Sequence, residues 1–103
     1  MKRAILIAGL LAVLGIVGNA QAAGDAQAGK AKSATCAGCH GAKGEGMPPN
    51  PALAGKSESQ LLQAMHDYKS GKRVNAIMKG LVAALSDQDM ENLAAHYASL
   101  KGM

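Results

Sequence analysis

The sequence predicts an all-α domain with three principal helices joined by long loops. Apolar residues recur at helical spacing in segments that begin with capping residues, and no segment alternates apolar and polar residues as a strand would. A third observation is the Cys-x-x-Cys-His motif at residues 36–40, whose spacing points to a covalently held group. Small domains often need such a group to complete their core.

The first two helices are marked by residues that favour helix ends. Asp25–Ser33 is rich in Ala, Lys and Gln and begins with an acidic side chain, which favours a short helix. Ser57 opens a second helix because Gln60 follows three residues later in a capping-box pattern, and Gly71 ends it. Its apolar face is formed at helical spacing by Leu61, Leu62, Met65 and Tyr68.

The last helix has the strongest end signals, and two loop segments complete the chain. Ser86 caps this helix, acidic residues fill its first turn, and Lys101 lies near its end. One face carries Met90, Leu93, Ala94, Tyr97 and Leu100. Residues 41–56 are rich in Gly and Pro and predict an ordered loop, whereas residues 72–85, which contain Met78, predict a second loop or a short helical turn.

Residues 1–22 predict a secretory signal peptide. Two basic residues precede an uncharged apolar run over residues 4–18, and Ala20-Gln21-Ala22 matches an A-x-A cleavage site. We therefore expect cleavage after Ala22, a mature domain of residues 23–103 and a periplasmic location. An uncleaved membrane anchor is the alternative, but the run is short for a span, which needs about 20 apolar residues.

The composition of the mature chain excludes a nucleic-acid binder and indicates a missing core component. Without the two basic residues of the signal, nine Lys and Arg side chains face seven Asp and Glu, so the net charge is +2. The sequence has no basic stripe with interleaved aromatic residues. It has no Trp or Phe and two Tyr, although aromatic residues usually contribute most to a core. We infer that something other than side chains fills the middle of the fold.

Cys36, Cys39 and His40 form the one motif whose spacing dictates a chemistry. C-x-x-C-H is the attachment pattern of c-type haem, because two thiols at this spacing can reach both vinyl groups along one edge of a porphyrin and form thioethers. The residue that follows then lies beneath the iron, and a neutral imidazole is a good iron ligand. The motif predicts one covalent haem c with His40 as an axial ligand.

Three other functions of this motif remain open at the level of sequence. A disulfide suits an extracytoplasmic protein, but a bridge across two residues removes little entropy from the unfolded chain. A thioredoxin-like redox pair belongs in a βαβ context, which the sequence lacks. A structural zinc site needs a fourth ligand, and His66 and His96 lie in helices without paired spacing. We expect His66 and His96 to be surface or boundary residues.

Further segments accompany the motif across the mature chain. They are Gly29-Lys30, Cys36-Ala37-Gly38-Cys39-His40-Gly41, Pro51-Ala52-Leu53-Ala54-Gly55, Asn75-Ala76-Ile77-Met78, and Leu85-Ser86-Asp87-Gln88-Asp89 leading to Tyr97. On these segments the chain resembles the class I c-type cytochromes, particularly the short bacterial monohaem type and the single domains of dihaem cytochromes. The resemblance implies the class I cytochrome c fold, with three principal helices and long loops around one covalent haem.

The resemblance assigns the second axial ligand to a Met in the loop before the last helix, which is Met78 here. A neutral thioether favours ferrous iron and, together with His, raises the reduction potential. Met47 is the rival, although it lies close in sequence to His40 and would have to cross the ring. Met65 and Met90 are expected to fill the core.

The resemblance also implies supporting roles for residues around the haem. The carbonyl of Pro51 is expected to accept the free ring N–H of His40, which fixes the orientation and basicity of the imidazole. Stiffening of the loop is the alternative role of this proline. Leu53 is expected to pack against the ring, and Gly29 and Tyr97 are expected to meet where the first and last helices touch.

With His40 and Met78 on the iron, no position stays open to a substrate, so we expect an electron-transfer protein and not an enzyme. The expected partners are redox proteins, namely a reductase and an oxidase or other terminal acceptor. Membranes would be only the site of partner complexes, and the chain itself would be a monomer. The alternatives are a haem protein with a labile distal site that binds a small gas or acts on peroxide, and a fixed electron-transfer subunit of a larger complex.

Basic side chains flank the Met78 loop and form either a solvated face or a docking surface: Lys69, Lys72, Arg73 and Lys79.

Overall fold

The computed structural model describes residues 24–100, which form five helices. In chain order these are α1 (Ala26–Lys32), α2 (Ala34–His40), α3 (Glu58–Ser70), α4 (Ala76–Ala83) and α5 (Asp87–Ala98). Within the described residues the only β-type pairing is one isolated bridge, so the all-α prediction is confirmed. None of these helices is both long enough and apolar enough to cross a membrane. The predicted signal segment and the C-terminal residues 101–103 lie outside the described part of the chain.

The second predicted helix begins and ends where its sequence indicates. The Ser57 hydroxyl accepts a hydrogen bond from the Gln60 backbone N–H at 3.1 Å, and the Gln60 side chain accepts one from the Ser57 N–H at 3.2 Å. This reciprocal pair satisfies two of the donors that a helix start leaves free. Gly71 ends α3 in the left-handed conformation, with φ 89°, which costs glycine less than other residues.

The first and last helices also begin with a side chain that accepts hydrogen bonds from the first turn. Asp25 accepts a hydrogen bond from the Gln27 N–H at 2.9 Å and so caps α1. Ser86 and Asp89 form a second capping box at the start of α5. The backbone N–H of Ser86 lowers the pKa of the Asp89 carboxyl below its ordinary value because it donates to the charged form. All three predicted helix starts therefore rest on a specific side-chain acceptor.

Two further helices form in segments with weaker helix signals. The Cys-x-x-Cys-His motif lies on α2, which begins directly after α1. The segment predicted as a loop or short helical turn contains the two-turn helix α4, and the Asn75 side chain caps it by accepting from the Met78 N–H at 3.0 Å. Residues 41–56 form the predicted loop between α2 and α3.

The core is formed mainly by the apolar face of α5. Helix α1 packs along α5, while α3 packs on both α5 and α4. Buried apolar side chains of this core are Leu61, Met90, Leu93, Ala94 and Tyr97.

Gly29 lies at the crossing of α1 and α5, as expected, but the atoms nearest to it are not those of Tyr97. A Cβ at Gly29 would collide with the backbone of Asn92 and approach Cβ of His96, whereas the Tyr97 ring lies against Gly44. The close crossing of α1 and α5 thus needs Gly29, but its partner is the α5 backbone. The aromatic ring instead packs on the loop between α2 and α3.

Candidate haem-binding site

Helix α2 presents the two cysteines of the motif one turn apart, on the same face. Both thiols are free, so the structure contains no disulfide between them. Cys36 is partly buried against the core cluster, and burial raises the pKa of its thiol above the ordinary value. Cys39 is exposed. The pair therefore points one sulfur towards the core and one towards the surface.

His40 is the last residue of α2 and is almost fully buried, with 7% of its surface exposed. Its Nδ1 lies 2.7 Å from the carbonyl oxygen of Pro51. A carbonyl oxygen can only accept, so Nδ1 carries the proton in this bond. In the neutral ring, Nε2 is then left with a free lone pair, which is the form that binds a metal.

The loop that supplies the Pro51 carbonyl is fastened to the end of α2. The backbone N–H of Gly46 donates to the carbonyl of His40 at 2.7 Å, and the Asn50 side chain donates to the carbonyl of Cys39 at 3.0 Å. Gly46 adopts φ 94°, and a Cβ there would come within 2.9 Å of the Ala52 nitrogen. Glycine is therefore required for the turn that brings Pro51 back towards His40.

A cavity of about 1110 Å³ opens between α2, α3, α4 and the 41–56 loop. Its volume is close to the upper end for small-molecule and cofactor sites, which is about 1,000 Å³. All six residues predicted to form the site line this cavity: Cys36, Cys39, His40, Pro51, Leu53 and Met78. The structure thus brings both cysteines, the histidine and a thioether to one space.

Met78 reaches the cavity from the first turn of α4 and is partly buried. Met47 is 47% exposed and is not among the lining residues. Met65 of α3 does line the cavity, and it also packs against the core cluster. The sequence interpretation treated Met65 as core filler and missed its second role. Its position four residues after Leu61, on the same helix face, was the available signal.

The walls of the cavity suit a large, mostly apolar group. Leu61, Val82 and Leu93 contribute buried apolar side chains to it. Tyr97 also lines it, and its hydroxyl is buried without a hydrogen-bond partner among the described residues. Burial raises the pKa of Tyr97 to about 12, so this hydroxyl stays protonated. The volume of the cavity and its mostly apolar walls, with the attachment cysteines and His40 at one side, fit a haem.

The basic side chains near Met78 do not form one uniform group. Lys69 donates from Nζ to the carbonyl of Leu85 at 2.7 Å and so ties α3 to the end of the α4 segment. Arg73 stacks over the ring of Tyr68 with 4.9 Å to its centroid, and both residues line the cavity. Lys69 is therefore a structural residue, and a solvated or docking role is left for the exposed lysines of the group.

A family model and several named relatives match most of this chain. The family model described as cytochrome c matches residues 26–101. Cytochrome c4 of Pseudomonas aeruginosa is 54% identical over 97 residues, which are 93% of this chain and 48% of that protein. Cytochrome c-554(548) of Halomonas halodenitrificans is 41% identical over 81 residues, which are 75% of this chain and 98% of that protein.

The fold is also similar to a solved structure. Reduced recombinant cytochrome c4 from Pseudomonas stutzeri superposes with a TM-score of 0.73 at 42% identity, and the match covers 79% of this chain and 48% of that one. The chain spans about half the length of the cytochrome c4 relatives that it matches. It matches nearly the whole length of the shorter Halomonas protein.

Proposed function

Because the chain belongs to the cytochrome c family, we propose that it carries single electrons through one covalently bound haem c, with His40 and Met78 as the axial iron ligands. The observation that carries this proposal is that an imidazole and a thioether line the same cavity as the two cysteines of the attachment motif. Both ligand types are known partners of cytochrome iron, and together they raise its reduction potential.

Each site residue has a defined task in this proposal. Cys36 and Cys39 hold the haem by thioether bonds, and the hydrogen bond to Pro51 keeps Nε2 of His40 free and aimed at the iron. Leu53 packs against the ring from the cavity wall. The haem supplies a one-electron couple when bound. The surrounding apolar side chains exclude water from it, which with the axial ligands tunes the potential.

Two occupied axial positions leave no place for a substrate, so the chain acts as an electron carrier and not as an enzyme. Its partners are redox proteins, a reductase on one side and an oxidase or other terminal acceptor on the other. The signal-like residues 1–22 support export to the periplasm, with residues 23–103 as the mature monohaem domain. The intact mass of the protein isolated from the periplasm tests this directly, because cleavage after Ala22 leaves Ala23 at the N-terminus.

Replacement of Met78 tests the central claim. The oxidised wild type should show the weak long-wavelength absorption band of an Fe(III)–thioether bond, and Met78→Ala should abolish it. The same variant should lose the high reduction potential and should bind carbon monoxide in the reduced state, because a coordination position becomes open. Met47→Ala and Met65→Ala are the controls and should leave all three properties nearly unchanged.

The controls also separate the alternatives. Loss of the band in Met65→Ala, with Met78→Ala unaffected, would move the ligand from α4 to α3. A wild type that already binds carbon monoxide readily, and that Met78→Ala does not change, would establish an open distal site. The electron-carrier proposal would then give way to a gas-binding function.

A further inference from the structure

A second, smaller cleft of about 370 Å³ lies on the side of the molecule where α1, the start of the 41–56 loop and α5 meet. Its lining residues include Lys30 of α1, Lys43 of the loop and His96 of α5, and none of them lines the haem cavity. Ala42 and Leu100 add apolar surface. The lining contains no Asp or Glu side chain. Three groups that can carry positive charge therefore face one small space without an acid in its wall.

Neither lysine of the cleft forms a salt bridge within the described residues. The one salt bridge within residues 24–100 joins Lys32 and Asp89, so neither Lys30 nor Lys43 takes part in an ion pair there. Glu45 lies two residues after Lys43. Its exposed carboxylate accepts from the backbone N–H of Lys43 at 2.9 Å, and the charge of Lys43 also acts on it. That backbone bond occupies Glu45 without placing its carboxylate in the cleft wall.

His96 distinguishes this cleft from a group of exposed lysines, because its side chain is mostly buried. Only 7% of its surface is exposed, because α1 packs over it at Gly29. Burial, and to a lesser extent the charge of Lys30, lowers the pKa of its imidazole below the ordinary value. The other titratable neighbour is Tyr97, whose ring centroid is 4.8 Å away and which is neutral at physiological pH.

We propose that this cleft binds a small dianionic oxyanion, such as sulfate or phosphate, between the ammonium groups of Lys30 and Lys43 and the imidazole of His96. Cationic donors that line one cleft and form no salt bridge attract anions, and charge-assisted hydrogen bonds to them are about twice as strong as neutral ones. A carboxylate from another molecule shares this chemistry but carries one charge and two oxygens. The dianion satisfies more of the donors present.

Anion binding at this site is coupled to the protonation of His96. A negative charge beside the ring favours the imidazolium, so the bound anion raises the pKa of His96. By linkage, the protonated protein binds the anion more tightly by the same factor. The proposal is independent of the identity of the axial ligands, because Met78 lies in the other cavity.

The experiment follows His96 by NMR in the reduced, diamagnetic holoprotein. Its ring signals are titrated with pH in sodium sulfate and in sodium chloride of equal ionic strength. We expect sulfate to raise the pKa of His96 saturably, and we expect the sulfate dissociation constant to fall about fivefold between pH 8 and pH 5. Sodium acetate and phosphate form the further arms. Phosphate should act like sulfate near pH 8, where it is mainly a dianion, whereas acetate should act more weakly at every pH.

Matched variants separate binding from screening. Lys30→Gln with Lys43→Gln should abolish the specific effect of sulfate, while Lys72→Gln with Lys79→Gln, which removes two exposed charges elsewhere, should preserve it. The proposal is overturned if chloride and sulfate shift the pKa of His96 equally at matched ionic strength, or if the sulfate effect survives in the Lys30 and Lys43 double variant. An effect of acetate equal to that of sulfate would also overturn it, in favour of a carboxylate site.

Discussion

Two regions of the molecule differ in how completely the protein's own side chains fill them. Along α5, Met90 and Leu93 are 0% and 1% exposed, and the crossing with α1 is so close that only glycine fits at residue 29. Along α4, Ile77 is 71% exposed and Leu81 is 39% exposed, although both line the haem cavity. The α1–α5 region is a closely packed core. The α4 region instead presents apolar side chains that other protein side chains cover only in part.

This contrast explains how a chain so poor in aromatic residues can hold a stable fold. The α1–α5 pair and α3 form a core from small and aliphatic side chains, which pack without a cofactor. The α4 side exposes apolar surface that is unfavourable in water, at roughly 25 cal/mol per Å². A bound haem covers such surface, so the stability of the α4 region depends on the haem far more than that of the α1–α5 pair.

Removal of the haem attachment should have the largest effect on stability, and it should destabilise the α4 region more than the α1–α5 region. We expect the Cys36→Ala, Cys39→Ala variant to retain no haem and to fold poorly, with α4 losing amide protection before α5 does. Acid–acetone extraction and hydrogen exchange provide the measurements. Gly38→Ala is the matched control, because a Cβ there meets no atom within 4 Å, and it should keep its haem. A wild type that is colourless and well folded would contradict the premise.

Truncation of one apolar side chain in each region should sharpen the comparison. Met90→Ala removes a fully buried side chain of α5 and should lower the free energy of unfolding by about 2–5 kcal/mol. Val74→Ala removes a side chain that is 93% exposed before α4 and should change it by less than about 0.5 kcal/mol. Chemical denaturation of the two holoproteins measures both. Equal losses would show that Val74 is covered in solution.

Glycines in the two regions should respond in opposite directions to alanine. Gly29→Ala forces a Cβ into the Asn92 backbone and should cost about 1–3 kcal/mol of unfolding free energy. Gly80→Ala adds a Cβ in open space on α4 and should gain about 0.5–1 kcal/mol, since alanine loses less chain entropy in a helix. The pair can be compared by thermal unfolding at one pH. A stabilised Gly29→Ala would mean that α1 and α5 separate easily.

The protonation of His96, in the α1–α5 region, should have a smaller effect on the free energy of unfolding and should make it depend on pH. Because burial lowers the pKa of His96 in the folded protein, the unfolded chain binds more protons just below the ordinary value of 6.5. The free energy of unfolding should therefore fall as the pH decreases through that value and level off below the folded pKa. Denaturant titrations in chloride buffers measure this slope, and His96→Gln should remove it. A slope that persists unchanged in His96→Gln would assign it to another group.

The sequence predicted those features that depend on neighbouring residues. The capping box at Ser57, the cap at Ser86 and the end of α3 at Gly71 are local hydrogen-bond patterns, and the structure contains them all. The Cys-x-x-Cys-His spacing led to residues that do line one cavity, because the covalent geometry of a porphyrin constrains that spacing tightly. Residues close together in the sequence were sufficient to predict these features.

Features that depend on how distant elements meet were missed or misplaced. The nearest neighbours of Gly29 and Tyr97 were not predicted, because the atoms closest to Gly29 belong to the Asn92 backbone and the Tyr97 ring lies against Gly44 of a loop. The bond from Lys69 to the Leu85 carbonyl and the position of Met65 in the cavity wall both depend on the packing of α3 against α4. No periodicity within one segment specifies such contacts.

The bonds that join the 41–56 loop to the end of α2 make the orientation of the His40 ring a property of that loop. The imidazole is held by the Pro51 carbonyl, and the loop that carries this carbonyl is bonded to α2 through Gly46 and Asn50. A change within the loop therefore acts on the ring without contacting it. The Nδ1 proton of His40 should exchange slowly with solvent in the folded protein, and Asn50→Ala should speed this exchange.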